Sequence, residues 1–575
     1  MKCARILTVV FTFFWVGQNL YAQKLFLFQD KNSLTIKNPQ QFKSAADIQN
    51  YLVNLQQQQI GKGYWEFSVD SVLQKNDTLL AYLHTGNHYT IVSDKKAEKR
   101  KINKANDNSI LILAQQKEKT LRELENNGYP FARAYFDSIQ WNGDTLYTCL
   151  KTEQGKLITI DSFKNFGSSK ITKGFIQNYL QLKSKQAYNE TKILNIDKLL
   201  KKLPYAELAQ PTQIVFADDK AHIYLHLNKR KVSSADFLIG FLPGSAGKKV
   251  LITGEVNLHL QNAFKRGEEI MLQWRKLQPK TQYLDIRFNY PYLFNTPLGV
   301  NFTFNLDKRD SSSMDLAWQL GLPFLYQTNN YIKGFYKYNQ TIILEADTLF
   351  AKSYKKLPNN LDALYSQYGV QTYYEQLDNL FSPKKGFDIN VSGSMGTKKI
   401  KQNTQLISIS DGVFNYASLY DSIKRKSIKG DVFWAGNYYQ PLGKKERHIL
   451  KLSNSGGAVF NQSLLRNELL RIGGNKKLRG FDEESILVST YVLTSLEYRF
   501  MLMRNSYFFT FFDWAYIQRK FNNSVFTDFP FGFGAGITFD TKIGIFGLTY
   551  ALGNQKDARL DFRKSKIHFG YIALF

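Results

Sequence analysis

The second half of the chain repeats short segments in which apolar and polar residues alternate. In YLDIRFNY, residues 283–290, Leu284 and Ile286 fall on one face while Asp285 and Arg287 fall on the other. The segments VNFTFN and GFDINVSGS repeat the pattern. Period-two alternation indicates β-strands with two different faces. A soluble sandwich and a transmembrane barrel both need such strands, so the alternation predicts sheet and leaves both architectures open.

The hydropathy pattern excludes helical membrane spans. After residue 22 no run of 18 apolar residues occurs, and the best candidate, residues 507–516, is short and contains Asp513. Yet the chain holds 44 Phe and 34 Tyr at a mean hydropathy of -0.35. Many aromatic residues without long apolar runs are typical of strands that present aromatic side chains to lipid. The composition therefore favours the barrel.

Length and the final segment favour the same architecture. Residues 254–575, divided among sixteen strands, give about 20 residues for each strand with its connection. The last segment, SKIHFGYIALF, alternates and ends on the aromatic Phe575. Within lipid, only closure of the sheet removes its edges. The sequence thus predicts a 16-stranded antiparallel transmembrane β-barrel over residues 237–575.

The start of the chain has the pattern of a cleavable secretory signal. Lys2 and Arg5 precede a short apolar stretch, and Ala22 supplies a small residue at the expected cleavage point. We therefore interpret residues 1–22 as a signal peptide. Cys3 falls within it, so Cys149 has no partner for an internal disulfide and is expected to pack as a small buried side chain.

The region after the signal contains an internal repeat. Tyr64 and Tyr129 are 65 residues apart, and each ends a helical pattern that is followed by two alternating strands. A third, diverged unit reads as a strand, two helices and a hairpin turned at Asp218 and Asp219. Repetition at a fixed period marks tandem small domains. We predict α+β units at residues 23–92, 93–160 and 161–232.

Charge and motifs argue against catalysis and nucleic-acid binding. The net charge of +28 suits nucleic acid, but an exported chain rarely meets it, so we assign the lysines to soluble domains, loops and the lumen, near anionic lipid. GSAGKK departs from a phosphate loop at Leu242 and Lys249, and His84 and His88 lack a third metal ligand. No GxSxG, paired CxxC or HExxH motif occurs. We expect no enzyme activity, cofactor, metal or nucleic-acid partner.

An ordered set of segments resembles one protein family. GGNKKLRGF looks like a (V/I/L)-R-G-(F/Y) loop, GEVNLHLQNAFKRGEEI like a first barrel hairpin and NLFSPKKGFDI like a mid-barrel Pro-x-x-Gly element. LEYRF and FFDWAY resemble the strands after the loop, GFGAGITFDTKIGIFGLTYAL a penultimate region, and the terminal Phe575 a bacterial barrel signature. The three N-terminal units resemble polypeptide-transport-associated (POTRA) domains. Together these segments resemble the outer-membrane β-barrel assembly and translocation superfamily (BamA/TamA-like, bacterial surface antigen family).

The resemblance implies a role for the loop predicted between strands eleven and twelve, from about Phe460 to about Thr490. In the family this loop folds into the lumen, and the alternative for this stretch is a basic surface turn. The motif residues carried over are Leu478, Arg479, Gly480 and Phe481. Arg479 is expected to pair with Glu497 and Asp513, because a planar guanidinium can hold two carboxylates at once. Ala515 stands where the family usually has glycine.

The resemblance also implies a function and a location. The protein would lie in the bacterial outer membrane with its N-terminal domains in the periplasm, accept unfolded outer-membrane or exported proteins at POTRA edges, and insert them through a lateral seam. Outer-membrane lipid would surround the barrel, and periplasmic or lipoprotein accessory subunits would be compatible partners. The alternatives are a two-partner-secretion-type translocation pore and a passive porin. The seam is predicted between strand one, near residues 254–260, and strand sixteen, near 566–575, with the residues Gly254, Val256, Leu258, Phe569, Tyr571 and Phe575.

Overall fold

The computed structural model describes residues 23–573 apart from fifteen short gaps. The gaps are 30–39, 43–44, 76–77, 93–108, 243–250, 277–280, 310–311, 380–381, 413, 444–445, 476, 504, 522–523, 542–543 and 557–560. The predicted signal peptide and Phe575 lie outside the described residues. The chain forms two compact units, one with the first two repeats and the other with most of the third repeat and a large sheet. Within the described part, no helix is both long and apolar enough to cross a membrane.

The first repeat is a helix packed on a four-stranded sheet. Ile48 and Leu52 on the helix are buried together with Ala81 of the sheet and Phe67, which directly precedes a strand, so the apolar stripe of the helix faces a core. The helix is Ala45–Gly61, and the strands in sheet order are Gln40–Phe42, Gln23–Gln29, Thr78–His84 and Ser68–Lys75.

The second repeat also combines a helix with a small sheet. The helix is Ser109–Asn126, and the strands in sheet order are Thr90–Val92, Thr145–Glu153 and Arg133–Asn142. Because Thr90–Val92 pairs in parallel with Thr145–Glu153, the second repeat begins earlier than the predicted residue 93. Cys149 is exposed, so the prediction that it packs as a buried side chain is wrong. It lies on a strand at the sheet's centre, where burial depends on which face is covered.

The third repeat has the predicted order of elements, with three short helices in place of two. Its core includes the fully buried Ile160, Ile196 and Ile223. Asp218 and Asp219 turn its hairpin as predicted, both with positive φ, which Asp tolerates better than most residues. The strands are Thr159–Asn165, Ala206–Leu208, Gln213–Ala217, Lys220–Leu225 and Leu227–Lys229, and the helices are Lys173–Tyr179, Glu190–Leu194 and Ile196–Leu200.

The large sheet contains 17 strand segments in sequence order, and the pairings between them are antiparallel. Ser524–Asp528 and Phe531–Thr541 both pair with Tyr507–Phe521. They are separated by Phe529 and Pro530, and proline lacks the N–H that would continue the ladder. We count the two segments as one interrupted strand, which gives the predicted sixteen.

These strands are numbered one to sixteen below. They are Ser234–Leu242, Leu251–Gln261, Glu269–Lys276, Gln282–Tyr290, Val300–Arg309, Ser313–Gln327, Asn330–Ile343, Ala363–Leu377, Gly386–Ile400, Lys426–Leu442, His448–Phe460, Thr490–Met501, Tyr507–Phe521, Ser524–Asp528 with Phe531–Thr541, Gly544–Asn554 and Lys566–Ala573. Two helices, Thr348–Tyr354 and Thr404–Ile407, lie in the connections after strands seven and nine.

The two faces of the sheet differ in chemistry, as the alternation predicts. Ser453, Ser495 and Asp513 are directly opposite one another on strands eleven to thirteen and make a polar row. One residue along, Leu496 and Phe512 are opposite each other and are 46% and 47% exposed. We call the face with Asp513 the inner face. Exposed apolar residues outside and polar residues inside are the arrangement of a barrel in lipid.

The first strand lies upstream of its predicted position. Gly254, Val256 and Leu258 belong to strand two, whose edges pair with strand one and strand three. These residues are therefore not at the edge of the sheet, and the prediction that placed them at the seam is wrong. Alternation identifies a strand but does not identify its neighbours. The segment GEVNLHLQNAFKRGEEI accordingly joins strands two and three and is not the first hairpin.

Strand sixteen lies at the predicted end of the sheet. Phe569 and Tyr571 are on this strand, opposite residues of strand fifteen. Among the described residues, no ladder joins strand sixteen to strand one. The two ends of the sheet are thus Ser234–Leu242 and Lys566–Ala573.

Candidate functional site

The connection between strands eleven and twelve folds back onto the inner face of the sheet. This connection, residues 461–489, is called the RGF loop below, and its ends match the predicted Phe460 and Thr490. Within it, Leu470–Ile472 pairs with Ile486–Val488 to form a short hairpin. Apolar contacts bury the hairpin and the tip of the loop against strands twelve and thirteen. The cluster comprises Ile472, Leu478, Val488, Tyr491, Leu493, Ala515 and Ile517.

Arg479 lies at the centre of a network of hydrogen bonds. Its Nη1 donates to Glu497 Oε2 at 2.8 Å, while its Nε and Nη2 donate to the two oxygens of Asp513 at 2.8 and 2.7 Å. Nη2 also donates to Ser495 Oγ at 2.8 Å, and the Arg479 peptide N–H donates to Asp513 Oδ2 at 3.0 Å. The guanidinium carbon lies 3.5 Å from the centre of the Phe511 ring. The structure brings Arg479 to both predicted carboxylates.

The network is largely shielded from solvent. The side chains of Arg479, Glu497 and Asp513 are 13%, 7% and 3% exposed. Charges that leave water need close partners, and the bidentate contact with Asp513 supplies one. Arg479 is therefore not a surface residue, and the surface-turn alternative is wrong for it.

A second arginine shares one of the carboxylates, and the sequence reasoning missed it. Arg499 Nε donates to Glu497 Oε1 at 2.8 Å, and its guanidinium lies 4.6 Å from the Tyr507 ring centre. Arg479, Arg499, Glu497 and Asp513 thus form a group with two charges of each sign. The signal was present in LEYRF, because residues two apart on a strand share a face.

Glycines allow the loop tip to contact the sheet backbone. A Cβ on Gly480, which has a φ of +96°, would lie 2.5 Å from the Gly553 nitrogen on strand fifteen. A Cβ on Gly532 of strand fourteen would lie 1.9 Å from the Arg479 carbonyl oxygen. Phe481 packs its ring over Gly553. The four motif residues therefore contact strands twelve to fifteen together.

Two neighbouring positions differ in their surroundings. Ala515, where the family usually has glycine, is fully buried in the same cluster as Leu478, so the sheet accommodates its methyl group beneath the loop. Lys477 is exposed, with its ammonium 5.5 Å from the Tyr491 ring centre. The surface-turn interpretation thus holds for this lysine, and Lys476 lies outside the described residues.

The third repeat is docked on the opposite end of the strands from the RGF loop. The Phe175 ring packs edge to face against the ring of Tyr292, which lies between strands four and five, with 5.5 Å between the ring centres. Phe175 also covers Gly267, which lies between strands two and three. Lys202 Nζ donates to Glu375 Oε1 on strand eight at 3.3 Å, with the two side chains 15% and 3% exposed. The helical side of this repeat is therefore fixed to the turns of the sheet's first half.

These features define the class of protein. Sixteen antiparallel strands with an apolar outer face, a polar inner face and a loop folded inward onto a buried arginine network describe an outer-membrane β-barrel. Residues 262–571, more than half of the chain, match the Omp85 superfamily domain. The chain belongs to the Omp85 superfamily of outer-membrane β-barrel proteins that insert or translocate other proteins, and the inner face is its lumen.

Several solved structures are similar to this chain at low sequence identity. CdiB from Escherichia coli has a TM-score of 0.53 and 12% identity, covering 92% of this chain and 98% of its own. CdiB from Acinetobacter baumannii has a TM-score of 0.49, 12% identity and coverages of 96% and 90%. BamA from Haemophilus ducreyi lacking POTRA domains 1-3 has a TM-score of 0.45, 13% identity and coverages of 84% and 97%. A search of curated protein sequences returned no match.

Proposed function

We propose that this protein folds client proteins into the outer membrane through the seam between strand one and strand sixteen. The observation that carries the proposal is that the hydrogen-bonded sheet ends at these two strands, with no described ladder between them. In lipid, each unsatisfied backbone group costs several kcal/mol. A strand edge that opens there is a template on which an unfolded client strand can pair.

The position of the RGF loop supports this proposal. Its tip contacts strands twelve to fifteen on the inner face, next to strand sixteen. Because the loop tip is bound to these strands, one side of the seam stays fixed while a client pairs with the strand edge. The three N-terminal repeats would lie in the periplasm, bind the unfolded client and deliver it to the seam. Exchange of one strand pairing for another needs no nucleotide, metal or catalytic side chain, so we propose a non-enzymatic insertase.

The alternative is a pore that secretes a dedicated partner through the lumen. In that case the inner face is the path, and the RGF loop has to leave its carboxylates for the path to open. The two functions differ in what crosses the seam and in whether the lumen conducts ions. A passive porin would need neither the N-terminal repeats nor the arginine network.

The deciding experiment places the full-length protein in liposomes and follows the folding of an unfolded eight-stranded client barrel added outside. Folding is read from the heat-resistant electrophoretic mobility of the client. We expect faster client folding than in empty liposomes and little ion conductance. Folding no faster than in empty liposomes, together with steady conductance, would contradict the insertase and favour the pore.

A further inference from the structure

A second buried ion cluster lies at the start of the RGF loop, away from Arg479. Glu468 and Lys398 form an ion pair in which both side chains are 1% exposed. Lys429 Nζ lies 3.6 Å from the other Glu468 oxygen and is 10% exposed. Lys398 comes from strand nine and Lys429 from strand ten, whereas Glu468 belongs to the loop.

Lys398 binds the loop at more than one point. Its ammonium donates to the Ser463 carbonyl oxygen at 2.8 Å and to Asn461 Oδ1 at 3.5 Å. Glu468 Oε2 in turn accepts the Leu465 peptide N–H at 2.7 Å. The first residues of the loop therefore surround the ammonium of Lys398 on strand nine.

Apolar residues seal the cluster from solvent. The ammonium of Lys429 lies 4.1 Å from the centre of the Tyr365 ring on strand eight. Leu465 and Tyr365 belong to a buried cluster with Tyr416 and Tyr420, which come from the connection after strand nine. A charge buried in this way is costly unless it is paired, so removal of Glu468 would leave two lysines poorly compensated.

The position of Glu468 in the loop connects this cluster to the arginine network. The hairpin strand Leu470–Ile472 begins two residues after Glu468 and pairs with Ile486–Val488, which leads into strand twelve. Arg479 lies at the tip of that hairpin. The hairpin residues Ile472 and Val488 are buried in one cluster with Leu478, the residue before Arg479. A displacement of the hairpin base therefore disturbs the packing beneath the tip, because close-packed clusters transmit strain.

We infer that Glu468 is a positioning residue that anchors the base of the RGF loop to strands nine and ten and thereby holds Arg479 against Glu497 and Asp513. The loop is then fixed at two places on the inner wall, one on each side of strand eleven. Any effect on client folding rests on the proposed function, whereas the anchoring itself does not.

The test measures the position of the loop tip directly. Nitroxide labels are placed on Lys477→Cys at the tip and on Glu446→Cys in the turn between strands ten and eleven, in a Cys149→Ser background. Distances are measured by double electron–electron resonance in liposomes. The expected result is a narrow distribution for the parent and a broad one with a second population for Glu468→Gln. Glu484→Gln, which changes an exposed acid of the same loop, should leave the distribution narrow.

Charge reversal separates anchoring from a general loss of stability. The pair Glu468→Lys with Lys398→Glu keeps one charge of each sign and should narrow the distribution again. If Glu468→Gln does not reach the folded, heat-resistant form, Lys429→Met should still broaden the distribution, because it removes the longer contact to Glu468 together with the contact to the Tyr365 ring. A narrow distribution in every folded variant would overturn the inference, even if the variants unfold at lower temperature.

Client folding in liposomes is a separate readout. If both the anchor and the proposed function hold, Glu468→Gln and Arg479→Ala should both slow client folding. If the loop is displaced in Glu468→Gln but the client folding rate is unchanged, the inference about the anchor is supported and the role of the loop in insertion is contradicted. If the loop is not displaced, the inference that Glu468 anchors the loop is wrong, and the proposed function is unaffected.

Discussion

Arg479 is bonded in a way that only a guanidinium can satisfy. Its three side-chain nitrogens reach Glu497, Ser495 and both oxygens of Asp513 in one plane, and the Phe511 ring covers that plane. A lysine ammonium is a single flexible point charge and cannot hold both carboxylates in this geometry. At the residue scale, the network is therefore more specific than a pairing of opposite charges.

Arg479→Ala should destabilise the folded protein far more than Lys477→Ala. Loss of the guanidinium leaves two buried carboxylates with fewer partners, which costs about 3–5 kcal/mol when the site is dry and less when lumen water enters. Lys477 is exposed, so its truncation should cost at most a few tenths of a kcal/mol. Heat-dependent mobility in detergent measures both variants. Equal effects would mean that the ion network does not hold the loop.

Gly532→Ala should displace the loop tip, because the new methyl group would overlap the Arg479 carbonyl oxygen. The matched control is Gly547→Ala on strand fifteen, where a Cβ would meet nothing within 4 Å. We expect protease cleavage within the RGF loop to become faster in Gly532→Ala and to stay at the parental rate in Gly547→Ala. Equal protection in both variants would show that the tip does not need the close approach at strand fourteen.

At the scale of elements, the sequence predicted the features that depend only on residues close together in the chain. Alternation gave the inner and outer faces, and the predicted bounds of the RGF loop match the ends of strands eleven and twelve. Glu468 was not predicted, since its partner Lys398 is 70 positions away and nothing near either residue indicates the other. Arg479 was predicted only because a family resemblance supplied its partners.

The position of the first strand shows the limit of the same reasoning. Phe237 and Val256 lie opposite each other in the ladder between strands one and two, so strand one and not strand two ends the sheet. Pattern alone cannot tell which of two such strands is at the edge, because the edge depends on pairing across the whole sheet. The correction moves this side of the proposed seam to Ser234–Leu242.

Lys202→Met should loosen the docking of the third repeat on the sheet. The substitution leaves Glu375, which is 3% exposed, without its cation, although Asn329 and Tyr373 still donate to it. Hydrogen exchange of helix Lys173–Tyr179 and of the turn at residues 262–268 should become faster. Lys198→Met changes an exposed lysine of the same repeat and should leave exchange unchanged. No difference between the two variants would mean that the ion pair does not hold the repeat.

At the scale of the whole barrel, the two ends of the sheet are held differently from its middle. The third repeat is fixed to turns from strand two onward, and the RGF loop holds strands nine, ten and twelve to fifteen from inside. The RGF loop reaches strand sixteen through the ion pair of Asp482 with Lys566, in which the aspartate is 73% exposed. Exposed ion pairs contribute about 0–1 kcal/mol. These contacts thus leave the two ends of the sheet as its least supported part.

Covalent closure of that seam should therefore stop client folding. Single cysteines along Ser234–Leu242 are combined with Phe569→Cys in a Cys149→Ser background, and the pair that oxidises most completely is used. Oxidised protein should fold clients no faster than empty liposomes, and a reductant should restore the rate. Leu258→Cys with Leu272→Cys, directly opposite in the ladder between strands two and three, should crosslink without loss of activity. Activity that survives the seam crosslink would place client entry elsewhere, and activity lost in the control would mean that a crosslink between other strands also stops insertion.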